Sequence, residues 1–400
     1  GYFMKNNLMK LLAAGAMTAG LFAGCSSAPA NNASASDASA SPDLGDTVKI
    51  GLNFELSGAV ADYGTAEQKG AKLAIKLFNE KKDKKFTVEA VEIDNKSDAA
   101  ESTSAATKLM TQDKVVGIVG PATSGASIAT YAVSEQNAVP VISPSATQNN
   151  AMMNGEKPYE YAWRVCFEDS FQGKAMAIFA KENLNKTKAV IFNEVTDYGQ
   201  GNADSFKAEF EKLGGSVVDQ IQYNAGDVDF SSAITKIKSM QFDVIYISGY
   251  YNEAGKIIKQ AKDAGIDVPI VGCDGFDSTT LIDQAGKEYC NNVYYTTAYT
   301  AINPSEQLKK FIDAYHDEYN EVPSMFAALA YDATNLLLDE LEATGKSGAA
   351  LNEAIKNVSY KGVTGDFTFD AANHTPLKPV LVVALKDGVQ DDVTSVDTTK

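Results

Sequence analysis

Val48-Lys49-Ile50-Gly51-Leu52-Asn53-Phe54 and the stretch 65–79 after it decide the fold. The first segment is a mostly apolar run of strand length. The second places Ala66, Gly70, Leu73, Ala74 and Leu77 on one face at helical spacing. Outward from this pair the two periods keep alternating. Apolar runs at 86–93, 115–119 and 139–142 are separated by helical stretches near 97–112 and 124–136. A second series has runs near 188–193, 216–222, 243–248 and 269–272, again with helices between them. Strands that alternate with helices of this length imply parallel sheets covered on both faces. Two series imply two such sheets, an α/β chain of two doubly wound parallel-sheet lobes.

An internal echo supports the count. Asp62-Tyr63-Gly64 follows the first strand of one series and opens a helix, and Asp197-Tyr198-Gly199 does the same in the other. Ligands of open parallel sheets sit beyond the carboxyl ends of the strands, where the βα loops emerge. Both tyrosines therefore belong to that edge, and two lobes facing each other make it a cleft. After residue 300 the alternation stops. Stretches 305–319, 324–343 and 348–357 read as consecutive helices, and Asp366–Phe369 and Pro379–Leu385 as strands, so the chain can return to the lobes it left.

Composition excludes several functions. With 35 basic against 52 acidic residues the formal charge is −17, which disfavours nucleic acid as a partner. Arg164 is the only arginine, so bidentate phosphate clamps are nearly excluded, and His316 and His374 stand far apart in sequence, which lowers the case for metal cages and histidine catalysis. The 44% hydrophobic content suits a globular chain rather than a disordered one.

The N-terminal region reads as a targeting device. Lys5 and Lys10 precede an uncharged, mostly apolar run, Leu11 to Ala23, which is short of the ~20 residues a spanning helix needs and suits a secretory leader. It ends at Leu21-Phe22-Ala23-Gly24-Cys25, which is similar to a bacterial lipobox except that Phe22 stands where leucine is usual. The expectation is a signal peptide over 1–24, a lipid on Cys25 and a disordered Ser/Ala-rich tether over 25–45. Such a chain is exported and held at the outer face of the bacterial cell membrane by that lipid alone. Three cysteines then remain, Cys166, Cys273 and Cys290. An odd number cannot all pair, and buried free thiols are favoured over a Cys273–Cys290 disulfide.

Four loops could carry chemistry. Gly120-Pro121-Ala122-Thr123-Ser124-Gly125 joins a buried strand to a helix, where free backbone N–H groups and the Thr123 and Ser124 hydroxyls suit an anion. The spacing comes near a P-loop, but Ala126-Ser127 stands where lysine and a hydroxyl residue belong, so a carboxylate fits better than a triphosphate. Helix capping by Ser124 is the bland alternative. Ser143-Pro144-Ser145-Ala146-Thr147 offers carbonyls and a hydroxyl beside it, or ordinary turn chemistry. In the second series, Gly249-Tyr250-Tyr251-Asn252-Glu253 and Cys273-Asp274-Gly275-Phe276-Asp277 put aromatic and acidic residues at strand ends. There Asp274 neutralises an ammonium or caps a helix.

These segments, with Leu56-Ser57-Gly58, Arg164, Asp169 and Gln172-Gly173, occur in an order that resembles the leucine/isoleucine/valine-binding proteins. Those are the substrate-binding lipoproteins of branched-chain amino-acid ABC importers. The resemblance covers residues 46 to about 386 and implies the type I periplasmic binding fold, two lobes joined by three hinge crossovers, here near 164–168, 297–301 and 376–380. Lobe 1 would comprise 46–166 and 300–377, lobe 2 would comprise 167–299 and 378–390, and 391–400 would be a C-terminal tail. It further implies that Ser124 and backbone amides of the first loop hold an α-carboxylate. Ser145 and Thr147, with Ala146 between them, would meet amine and carboxylate, and Asp274 would complete the amine site from the other lobe. Tyr63, Tyr198, Tyr250 and Phe326 would wall the side chain, with Ala122 and Thr123 as floor. The implied partners are a small amino acid and the permease subunits of an importer, with no cofactor, no metal and a monomeric chain.

Two rivals remain at this point. The same fold could bind another amino acid or a short amide such as urea, or present its ligand to a sensor. An enzyme on a doubly wound fold would need a GxGxxG turn, a G-x-S-x-G elbow or clustered His and Cys ligands, none of which the chain offers.

Overall fold

The structure is a computed structural model that describes residues 40–398. The leader, Cys25 and the tether through residue 39 lie outside the described residues, but residues 40–44 are not a disordered tether: backbone hydrogen bonds join them to Gly345, Ser347 and Ala349.

β1 (Thr47–Phe54) buries every residue from Ile50 to Phe54, as a central strand covered on both faces must. It is followed by α1 (Ala61–Asn79), β2 (Thr87–Asp94), α2 (Ala99–Thr111), β3 (Gly117–Val119), α3 (Ser124–Ile128), α4 (Tyr131–Asn137) and β4 (Val141–Ser143). A small hairpin, β5 (Met153–Asn154) and β6 (Lys157–Pro158), precedes β7 (Ala162–Arg164). The first sheet has the order β2-β1-β3-β4-β7 and is parallel throughout. One expected helix, 124–136, is two: the chain breaks at Ala129 and Thr130, where the Thr130 hydroxyl turns back onto the Ser127 carbonyl.

The second series runs α5 (Asp169–Ile178), β8 (Lys188–Glu194), α6 (Asp197–Lys212), β9 (Ser216–Tyr223), α7 (Ser231–Lys238), β10 (Val244–Ser248), α8 (Tyr251–Asp263), β11 (Ile270–Gly272), α9 (Thr279–Ala285) and β12 (Val293–Thr297). Three helices follow, α10 (Glu306–Tyr319), α11 (Met325–Thr344) and α12 (Gly348–Lys356), then the hairpin β13 (Ser359–Gly362) and β14 (Gly365–Thr368). α11 packs along α1 of the first lobe. β15 (Val380–Lys386) and β16 (Val389–Val396) return to the second sheet, whose order is β16-β15-β12-β11-β10-β8-β9.

Two expectations change here. The second sheet is mixed, because β15 lies antiparallel to β12 and β16 antiparallel to β15. Most of 391–400 is also not a tail: through Val396 it belongs to β16, which β15 reaches by a tight Asp387-Gly388 turn with both residues at positive φ.

Leaving that hairpin aside, the five remaining strands of the second sheet repeat the first sheet's order, with β8 in the place of β1. The two Asp-Tyr-Gly segments occupy equivalent places, and packing explains their glycine. A Cβ on Gly64 would fall 1.9 Å from the Glu55 carbonyl oxygen, and one on Gly199 would fall 2.2 Å from that of Glu194. In each lobe the helix can start tight against the end of the first strand only if that residue lacks a side chain. The tyrosine before it is thereby aimed over the strand ends.

The chain passes between the sheets three times: between Arg164 and Asp169, between Thr297 and Glu306, and between Thr368 and Val380. Cys166, Cys273 and Cys290 are buried free thiols, as expected. Among the described residues no helix is long and apolar enough to cross a membrane.

Candidate functional site

The strand ends of the two sheets face each other across a narrow cavity. Tyr63, Ala122, Thr123, Ser145 and Phe326 line it from the first lobe, and Tyr198, Tyr250, Asp274 and Gly275 from the second. The rings form one wall: Tyr198 stacks on Tyr250 with centroids 4.6 Å apart, while Tyr63 lies 5.3 Å from Tyr250 and 4.3 Å from Phe326.

The polar end is built around Asp274. Its Oδ1 accepts the Tyr198 hydroxyl at 2.5 Å and Nε2 of Gln172 at 3.2 Å. Gln172 is a hub: the same Nε2 donates to Asp169 at 2.8 Å, and its Oε1 accepts from the Asp274 N–H and the Thr296 hydroxyl. Burial away from water pushes the Asp274 carboxyl up to about 6, even though Tyr198 and Gln172 favour its charged form. Burial likewise raises Asp169 to about 7, with the Asp274 charge adding to the effect. A buried carboxyl held this far above its ordinary range gains most from a cation placed beside it. Among the described residues no cation hydrogen-bonds to Asp274, and Arg164 is committed elsewhere, its guanidinium donating to the Ala146 and Gln148 carbonyls, to Glu168 and to Thr375.

The structure brings eight of the predicted site residues around this cavity and leaves three outside its lining. Ser124 does not cap α3; its hydroxyl oxygen accepts the Gln148 N–H at 3.1 Å and ties the first loop to the second. The Ala146 carbonyl accepts from Arg164, and the Thr147 carbonyl accepts the Asp169 N–H at 2.6 Å. The first-loop amides are not free either. Glu55, at the end of β1, accepts the Ala122 N–H at 3.1 Å and the Thr123 N–H at 2.8 Å. An acid of the protein's own thus occupies two donors that sequence reasoning assigned to a ligand carboxylate.

Other bonds tie the lobes together around the cavity. The Tyr63 hydroxyl donates to the Gly275 carbonyl. Asp62 accepts the Ser278 hydroxyl at 2.7 Å and the Thr280 hydroxyl, and its N–H donates to the Tyr251 hydroxyl at 3.1 Å. Asp277 accepts the Met325 N–H at 2.7 Å at the start of α11.

A family model for periplasmic binding proteins matches residues 47–390. The chain belongs to this family. Its fold is the type I periplasmic binding protein fold. This periplasmic binding protein is 42% identical to the branched-chain amino acid transporter substrate binding protein LivJ from Streptococcus pneumoniae, solved in complex with isoleucine. That comparison has a TM-score of 0.83 and covers 88% of this chain and 99% of the other. It is 32% identical to a leucine binding protein, LivK, from Thermotoga maritima, with a TM-score of 0.81 and coverage of 88% and 99%. A Leu/Ile/Val-binding protein of Rhizobium johnstonii is 32% identical over 336 residues, 80% of this chain and 89% of that one.

Sequence reasoning missed Glu55, Glu67 and Gln172 as buried polar groups behind the lining of the cavity. Glu67 carried a usable signal. It falls on the face of α1 that also carries Tyr63, Gly70, Ala71 and Ala74, all buried, and an acid on such a face needs a partner. Gln172 and Glu55 act through residues distant in sequence, and no local pattern marks them.

Proposed function

We propose that this binding protein captures one amino acid with a small apolar side chain, leucine, isoleucine or valine, between its lobes and delivers it to the permease of an ABC importer. The observation that carries the reading is Asp274, a buried carboxyl with a raised proton affinity, at the polar end of a small cavity walled by four aromatic rings from both lobes. An ammonium relieves the carboxyl, and the rings cover a short apolar side chain. The Thr123 hydroxyl, on the floor, is shared between Glu55 and the ligand carboxylate. Because each lobe supplies part of the site, only the closed form makes all contacts, so ligand stabilises closure. The three passages between the sheets serve as the hinge, and they divide the body into lobe 1 and lobe 2. The similarity to a transporter binding protein solved with isoleucine supports the same ligand class.

The reading of the protein as a binder rather than an enzyme rests on its family and its relatives, which are solute-binding proteins. It is exported, held by a lipid on Cys25 and monomeric. Isothermal titration against the twenty amino acids and urea, on protein stripped of ligand by unfolding and refolding, tests the ligand. Heat with leucine, isoleucine or valine is expected. Silence with all three, or a response only to urea, refutes the reading.

A further inference from the structure

Behind the Ser145 wall of the cavity lies Glu67, fully buried on α1. The Ser145 hydroxyl oxygen stands 2.6 Å from Glu67 Oε1 and 2.7 Å from the Ala122 carbonyl oxygen. Serine has one proton to give, and a carbonyl can only accept. If Glu67 were ionised, two acceptors would compete for that proton. Its Oε2, which is buried and has no hydrogen-bond partner, would then be a charged oxygen without a donor. If Glu67 is the acid, every proton has a place: Glu67 donates to Ser145, and Ser145 donates to Ala122. The neighbouring acid points the same way. Glu55 receives three donors, from Asn95 Nδ2 at 2.9 Å and from the Ala122 and Thr123 amides, so of two adjacent buried carboxyls it is the better placed to carry charge. Burial opposes the ionisation of Glu67 most, and the charges of Glu55 and Asp274 oppose it too, against the smaller pull of the Ser145 hydrogen bond toward the charged form.

We propose that Glu67 is a positioning residue for ligand specificity: as a neutral carboxylic acid it directs the Ser145 proton onto Ala122, so that this wall of the cavity offers acceptors only. Ser145 is left with a lone pair and no proton, and the Ala122 carbonyl with one lone pair. Together with Asp274 they select a ligand that brings an ammonium, and they disfavour one that presents an acceptor in its place. The inference rests on the amino-acid reading above and adds the origin of its preference for a free amine.

Two measurements test it. Infrared difference spectra of ligand-free wild type against Glu67→Gln at pH 7 are expected to show the carbonyl band of a protonated carboxyl in the wild type alone. Calorimetry then compares leucine with 4-methylpentanoate, which is leucine without its amine. Glu67→Gln can still donate from its amide, so leucine affinity is expected to stay within about threefold. Glu67→Leu frees the Ser145 proton to turn into the cavity, and the preference for leucine over 4-methylpentanoate is expected to shrink by about tenfold, the scale of one hydrogen bond. No carboxyl band, or an unchanged preference in a folded Glu67→Leu, overturns the proposal. A wild type that binds no amino acid sinks the functional reading, and with it the specificity role; the band separates the two failures by showing whether the proton still sits on Glu67.

Discussion

Replacing Asp274 by Asn should move stability and affinity in opposite directions. Asparagine keeps the shape and keeps an Oδ1 to accept from Tyr198 and Gln172, so the fold around the cavity should survive. What changes is the charge. The rise of the carboxyl from an ordinary 3.8 to about 6 corresponds to about 3 kcal/mol held against its ionised form in the folded protein. The sign follows from linkage: the folded state binds this proton more tightly than the unfolded state, so stability falls as pH rises from below 3.8 through 6 and the penalty is in full force above that window. At pH 7.5 the ligand-free Asp274→Asn protein should therefore be more stable than the wild type, by about 1–3 kcal/mol once relaxation and the nearby Asp169 are allowed for. Leucine should bind more weakly by about 1–3 kcal/mol, because a charge-assisted hydrogen bond to the ammonium becomes a neutral one. Urea unfolding of stripped protein measures the first quantity and calorimetry the second. A loss of stability would mean that the carboxylate is chiefly a structural acceptor. An unchanged dissociation constant would remove Asp274 from the ligand site.

The same group sets a pH dependence: leucine affinity in the wild type should be flat well above pH 6 and fall as pH drops through about 6, and Asp274→Asn should flatten that profile in a calorimetric pH series. Arg164→Lys should destabilise the protein by about 3 kcal/mol or more in urea unfolding, because an ammonium cannot reproduce a fork that reaches Ala146, Gln148, Glu168 and Thr375 at once. Asp62→Ala removes the acceptor shared by the Ser278 and Thr280 hydroxyls across the cleft, so the ligand-free protein should expand in small-angle scattering and bind leucine more weakly, while the unfolding midpoint changes little. An unchanged radius of gyration would show that these bonds do not hold the lobes together.

Much of the architecture was legible along the chain because it depends on neighbours in sequence. The strand at 48–54, the helix after it and their repetition follow from side-chain periods, and the two Asp-Tyr-Gly segments marked equivalent places in the two lobes. The glycine in each was required by a strand's carbonyl next to it, a demand that recurs wherever the local unit recurs. Local reasoning failed where a distant segment intervened. Helix 124–136 broke at Thr130, and the supposed tail became β16 because β15 offered it a free edge to pair with.

Tyr63, Tyr198, Tyr250 and Asp274 could be placed at the cleft from sequence because residues at strand ends share one edge of a doubly wound sheet, whereas Phe326 and the role of the rings as a wall came only from the resemblance to leucine/isoleucine/valine-binding proteins. Which donors and acceptors were already used could not be read from sequence. Glu55 takes the Ala122 and Thr123 amides from 67 and 68 residues away, and Gln172 reaches Asp274 across 102. The protonation of Glu67 depends on water being excluded by elements that meet only when the chain has folded. Residue order alone determined the lobes and the chemistry at their rims; the packed structure decided which of those groups remain open to a ligand, because desolvation and hydrogen-bond pairing are properties of three-dimensional neighbours.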